Sequence, residues 1–202
     1  MVSNFEQLIN EFGLLPKVTK EPTYLEICKY PGNRFEEICS RLLCFYFSPS
    51  AEHGLGDLFL TSLIKMLNIS DKINFNPNDI TVVSEDNAEG KRVDILVYSD
   101  QFVIGIENKV TASLYNPLDI YKKRIDKYST NNRHYIVLSL RKVENKNEKA
   151  WMKKNGFINI TYKSLFEVIT PNIISCENDT NRKYIVYLKD FIKTPGLTHK
   201  KQ

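Results

Sequence analysis

Two apolar runs broken by acids at matching places constrain this chain most. Arg92-Val93-Asp94-Ile95-Leu96-Val97-Tyr98 and Phe102-Val103-Ile104-Gly105-Ile106-Glu107-Asn108-Lys109 are apolar and β-branched enough for strands. Ser99-Asp100 between them suits a tight turn, so the two read as a hairpin. Asp94 interrupts the first strand, and Glu107 and Lys109 close the second. Side chains two apart on a strand share a face, so Glu107 and Lys109 project together with Asn108 opposite. Hairpin pairing can bring Asp94 beside them.

A carboxylate inside an apolar strand is costly unless something compensates it. A divalent cation held by Asp94 and Glu107 would do so. Lys109 would then orient or deprotonate a water, or stabilise charge developing on a phosphate. Hard oxygen ligands point to Mg²⁺, with Mn²⁺ as its usual substitute. Taken singly, an edge aspartate and a surface Glu–Lys ion pair are the plainer readings. Their joint occurrence is harder to reach by chance.

Around the hairpin the hydrophobic period changes. Arg34 to Phe47 is a helix with Phe35, Ile38, Leu42 and Phe45 on its stripe, and a second helix runs from about Asp57 to Leu67. Ser3 to Phe12 reads as a short helix, followed by an irregular link through Pro16 and Pro22 to Pro31-Gly32-Asn33. Further strands are expected at 80–84, 134–140 and 158–162. Further helices are expected at about 117–128, 163–169 and 181–192, with a frayed tail from Thr194. This order implies an α/β fold, a mixed central sheet flanked by helices. At 202 residues, with eleven Tyr and eleven Phe for a core, one domain spanning 1–202 is expected.

Lys91-Arg92-Val93-Asp94-Ile95 followed by Ile104-Gly105-Ile106-Glu107-Asn108-Lys109 resembles the core of the PD-(D/E)xK nuclease superfamily. The upstream text is similar to one bacterial branch, which pairs a Glu-bearing first helix with a His-Gly-x-Gly loop. Here these are Glu36-Glu37-Ile38-Cys39-Ser40-Arg41 and His53-Gly54-Leu55-Gly56-Asp57. The resemblance covers roughly Asn33 to Leu140. It implies a restriction-endonuclease-like core at about 33–170, with terminal helices packed on it. It further implies a Mg²⁺-dependent nuclease acting on nucleic acid, DNA first, with Asp94, Glu107, Lys109 and Glu36 catalytic. Two departures stand out. Val93 replaces the proline before the first acid. In the helix after the Glu-x-Lys, Arg124 stands where the family often has Gln, with Tyr128 one turn later.

The same resemblance gives Glu36 a metal-reaching role, ahead of Glu37 because Glu36 lies four residues before Ser40; the alternative is an ordinary helix-start acid. Glu85 would help hold metal or be a solvated turn residue. His53 would lie near the scissile phosphate, or the glycines beside it make a turn and Asp57 caps the next helix. Lys123, Arg124 and Lys127, with Lys122, would grip phosphates or form a solvated face. A non-catalytic nucleic-acid-binding or interaction module of the same fold is the alternative function. The intact Asp94, Glu107 and Lys109 set favours catalysis.

A formal net charge of +4 permits nucleic-acid binding without requiring it. The first residues are too polar for a signal peptide, and no run reaches the roughly 18–20 apolar residues that cross a bilayer. Four cysteines (28, 39, 44 and 176) lack CxxC or zinc spacing, so buried reduced thiols and a cytoplasmic setting are expected. A homodimer stays open.

Overall fold

The computed structural model describes residues 21–29, 32–88, 91–110, 117–173 and 181–194. The expected helix Ser3–Phe12, Cys176 and the tail beyond Thr194 lie outside these residues. In chain order the helices are α1 (Tyr24–Cys28), α2 (Gly32–Phe47), α3 (Leu58–Met66), α4 (Leu118–Ile125), α5 (Lys146–Asn155), α6 (Tyr162–Ile173) and α7 (Arg182–Lys193). The strands are β1 (Thr81–Ala88), β2 (Lys91–Tyr98), β3 (Phe102–Lys109), β4 (Asn132–Ser139) and β5 (Phe157–Thr161). They form one sheet in sequential order. β1, β2 and β3 pair antiparallel, while β3–β4 and β4–β5 pair parallel. The switch follows from the connections: short turns permit antiparallel neighbours, whereas the helical crossovers through α4 and α5 permit parallel ones.

Both faces of the sheet are covered. On one, Ile95, Val97, Ile104 and Ile106 pack with Leu43 and Tyr46 of α2, Phe59 and Leu63 of α3, Phe166 of α6 and Leu188 of α7. On the other, α4 and α5 cover the sheet through Leu118, Tyr121 and Met152, which pack with Val93, Val137 and Phe157. Burial on both faces explains why β3 reads as a nearly unbroken apolar run. Gly105 lets α4 press onto β3: a Cβ there would lie 2.1 Å from the Cδ1 of Ile125.

Two helices depart from the sequence expectation. The link before Pro31 contains α1, closed by a reciprocal cap: Glu26 N–H donates to Thr23 Oγ1, and Thr23 N–H donates to Glu26 Oε2 at 2.8 Å. α5 had no apolar stripe to announce it, because only Met152 and Asn155 are buried along it. Its ends are set by Asn145, whose side chain accepts from Asn147 N–H and Glu148 N–H, and by Gly156 at φ 75°. Asp57 starts α3 without the side-chain cap expected of it. Among the described cysteines, Cys39 is buried, Cys44 half-buried and Cys28 exposed, all as free thiols. Burial pushes the Cys39 thiol up to about 12, which keeps it protonated and unreactive. Among the described residues no helix is long and apolar enough to cross a membrane.

Candidate active site

The β2–β3 ladder runs from Tyr98 opposite Val103 to Ile95 opposite Ile106. One residue further, a side chain takes over the connection. Asn108 N–H donates to Oδ2 of Asp94 at 2.7 Å. β2 also changes its alternation there, since Val93 packs with Leu118 and Tyr121 while Ile95 belongs to the opposite core. Asp94 thus sits where the two strands part, in hydrogen-bonding reach of the Glu107 side chain.

Glu107 is 1% exposed, enclosed by the run that precedes it. Its Oε1 lies 2.9 Å from Lys109 Nζ, as expected of side chains two apart on one strand face. Lys109 Nζ also lies 3.5 Å from Glu36 Oε2. Glu36 Oε1 accepts from Val110 N–H at 2.9 Å, so this carboxylate clasps the end of β3 from the start of α2. Glu37 instead pairs with Arg41 at the surface. Of the two acids, Glu36 is therefore the one that reaches the hairpin.

The side chain on the opposite face of β3 holds this arrangement. Asn108 is 0% exposed. Its amide donates to the Glu36 carbonyl oxygen at 3.0 Å and to Ser40 Oγ at 2.9 Å. Its Oδ1 accepts from the Tyr162 hydroxyl at 2.8 Å, and Ser40 Oγ donates to the Glu36 carbonyl. The amide nitrogen and oxygen of this buried side chain are both satisfied, so it links α2, β3 and α6 rigidly.

The charges follow from burial and proximity. Burial raises the Asp94 pKa above its usual range, with Glu36 adding to the rise and the Asn108 N–H and Lys109 opposing it. For Lys109, burial lowers the pKa, but Glu107, Glu36 and Asp94 outweigh it and hold the ammonium above its usual range. Lys109 is thus a charged donor at neutral pH, suited to orienting a water or a phosphate oxygen.

Tyr121 was missed by sequence reasoning. It is 4% exposed, and its phenol is raised by burial and by the nearby charges of Glu107 and Asp94. The expected helix match was Arg124 to Tyr128. Tyr128 instead packs on Tyr98 at 4.8 Å between ring centroids, and the Arg124 guanidinium lies 5.4 Å from the Tyr128 ring centre. Tyr121 feels the charges of Glu107 and Asp94, Ile125 meets Gly105, and Tyr128 meets Tyr98, so α4 runs away from the acids. Lys123, Arg124 and Lys127 are carried with it toward the hairpin turn, and Lys122 is paired with Asp126 at 2.5 Å.

His53 is likewise distant from the acids. It is 0% exposed and beside Phe45, nine residues and roughly 14 Å along α2 from Glu36. Its Nδ1 accepts from Leu55 N–H at 2.9 Å, and its Nε2 lies 3.0 Å from the Ser48 carbonyl oxygen. Both nitrogens are spent on the loop, which corrects the expectation of phosphate contact in favour of the turn reading. Gly54 and Gly56 supply that loop with positive φ. The backbone of Glu85 lies in β1 between Ser84 and Asp86, whose partners are Ile95 and Val93, hence across from Asp94. Its side chain lies outside the described residues.

Among the described residues no three His, Cys, Asp or Glu side chains form a ready-made metal cage. The donor set is two carboxylates, Asp94 and Glu107, with Glu36 directed at Lys109. That fits an ion bound through one or two carboxylates and completed by water and phosphate, the habit of Mg²⁺. A family model of the PD-(D/E)XK nuclease superfamily matches residues 26–192. No characterised sequence and no solved structure matches the chain significantly.

Proposed function

Because the chain belongs to the PD-(D/E)XK nuclease superfamily, we propose that it is a Mg²⁺-dependent nuclease hydrolysing phosphodiester bonds, DNA being the first substrate to test. The observation that carries this reading is the Glu107–Lys109 pair at 2.9 Å beside Asp94, at the end of a strand otherwise filled with apolar side chains. A structural strand would not bring two acids and a lysine together at such a place.

Asp94 and Glu107 would hold the ion. When bound, it supplies Lewis-acid stabilisation of phosphate charge and makes an attacking water more acidic. Lys109 donates from its ammonium to the attacking water or to a non-bridging phosphate oxygen, countering charge that grows in the transition state. Glu36 keeps Lys109 on station and fixes Val110 N–H, while Asn108 keeps Glu36 on station. Burial of Glu107 and Tyr121 limits water at the carboxylates, which strengthens each of these charge interactions.

The test is incubation of the purified protein with single-stranded and duplex DNA and with RNA, with Mg²⁺ and with chelator. Cleavage in Mg²⁺ that Asp94→Asn and Lys109→Ala abolish supports the proposal. Binding without cleavage on any substrate returns the chain to a non-catalytic nucleic-acid-binding module.

A further inference from the structure

The segment that follows β4 is strongly basic. Residues 141–154 carry Arg141, Lys142, Lys146, Lys149, Lys153 and Lys154 against Glu144 and Glu148, a net +4. The whole chain has a formal net charge of +4, so everything outside this segment sums to neutrality. All six cationic residues are exposed, in the β4–α5 loop and on α5. The chain's sole tryptophan, Trp151, lies on the flank of α5 at 37% exposure and shares that side with Lys154, whose Nζ is 5.7 Å from its ring centre, while Lys149 and Lys153, two residues before and after it, point to another side of the helix.

The segment begins at the candidate site. Ser139 pairs with Lys109 in the parallel register, and Leu140 N–H donates to the Lys109 carbonyl oxygen at 3.2 Å. Arg141 is the next residue. Met152, beside Trp151, is buried in the same small core as Tyr121, whose phenol feels the charges of Glu107 and Asp94. A basic track that starts beside a lysine of the site and carries an accessible indole matches what single-stranded nucleic acids bind: cations along the backbone and an aromatic ring for an unpaired base. A duplex hides its base faces in the stack and gains only the charge.

We propose that the β4–α5 loop and the side of α5 that carries Trp151 and Lys154 form the docking surface for single-stranded nucleic acid, with Trp151 stacking on a base near the strand that enters the site. This rests on the nuclease reading for its substrate class, and it selects single strands over duplexes.

The wild-type chain, kept in chelator, is titrated with an unlabelled single-stranded oligodeoxynucleotide of about 16 nucleotides, reading intrinsic tryptophan emission. Anisotropy of a labelled copy, with a duplex of the same sequence in parallel, gives affinities. Saturable quenching by the single strand is expected, with much less by the duplex. Trp151→Ala should weaken single-strand binding about tenfold, within the range for loss of one stacked base. Lys142→Glu in the loop with Lys154→Glu beside the indole, both exposed, should weaken it further and flatten its salt dependence by about 0.7 for each phosphate no longer neutralised; a thermal melt of each variant checks folding. Binding that leaves Trp151 emission unchanged and is equal in all variants would overturn this surface while leaving the nuclease proposal intact. Equal quenching by duplex would overturn the single-strand assignment. Quenching by a chain that cleaves nothing in Mg²⁺ would keep the surface and overturn the nuclease proposal.

Discussion

The side-chain amide of Asn108 donates to the backbone carbonyl oxygen of Glu36 at 3.0 Å, across 72 residues of sequence. With Asn108 N–H on Asp94, one residue joins the two acids that flank Lys109. Asn108→Ala would leave the Tyr162 hydroxyl and Ser40 Oγ short of a buried partner, at a cost of about 1–3 kcal/mol for each unsatisfied group. Urea unfolding should show that loss. In cleavage assays the surviving folded protein should lose turnover more than substrate affinity.

Lys109→Ala removes the ammonium beside Glu107 and Glu36. Turnover should fall about 10²–10⁴-fold, as for loss of a catalytic proton-transfer or charge-stabilising group. KM should change little, because Lys109 is not part of the exposed basic track. Equal kcat in mutant and wild type would remove Lys109 from the mechanism.

Asp94 gives a pH-dependent prediction for the metal-free protein. Its pKa is raised in the fold, so the folded state binds more protons than the unfolded one, and stability is lost as pH rises from about 3.9 through the folded pKa. Asp94→Asn should therefore melt at least as high as wild type at pH 7 in chelator, with the difference closing toward pH 4. Adding Mg²⁺ should raise the wild-type melting temperature and leave the mutant unmoved. A mutant that keeps the Mg²⁺ shift would show that Asp94 is not a ligand.

His53 makes the opposite sign testable far from the acids. Burial lowers its pKa, with the Ser48 and Phe45 backbone bonds opposing, so the unfolded state binds more protons at mildly acidic pH. The stability His53 contributes is complete above about pH 6.5 and declines as pH falls below it. Urea midpoints between pH 7.5 and 5.5 should drop more in wild type than in His53→Gln, a comparison independent of metal and substrate.

Gly105 is required by the closeness of α4. Gly105→Ala should destabilise by about 1–3 kcal/mol through overpacking against Ile125. In an Ile125→Ala background the same change should cost clearly less. Strictly additive effects in the double-mutant cycle would mean that the helix and strand do not meet as described.

The elements that advertise themselves in sequence are those whose burial is periodic. β2 and β3 are legible because they are covered on both faces, and α2 because one broad stripe meets the sheet. α5 is not, because its inward side is little more than Met152 while its remaining positions are polar. The juxtaposition of Glu107 and Lys109 follows from strand alternation alone. That Asn108 would tie Glu36 to the hairpin could not be read, since the tie depends on where α2 docks. Tyr121 escaped for a related reason: choosing it over Tyr128 needs the direction of α4 relative to β3, which spacing within the helix leaves undetermined. His53 shows the converse, a motif histidine whose ring serves its own loop.

The separations within this cluster also imply an order of assembly. Asp94 and Asn108 are 14 residues apart, while Glu36 and Asn108 are 72 apart. Closing the longer loop costs about 1.5 kcal/mol more in chain entropy, from the logarithmic dependence on loop length. The hairpin is the local unit, and it arrives with two acids and the ammonium that offsets one of them on the same ribbon. Glu36 joins only when the helix docks from far upstream. A nascent chain therefore brings its paired acids together under a built-in counter-charge, and completes the cluster with its most distant partner.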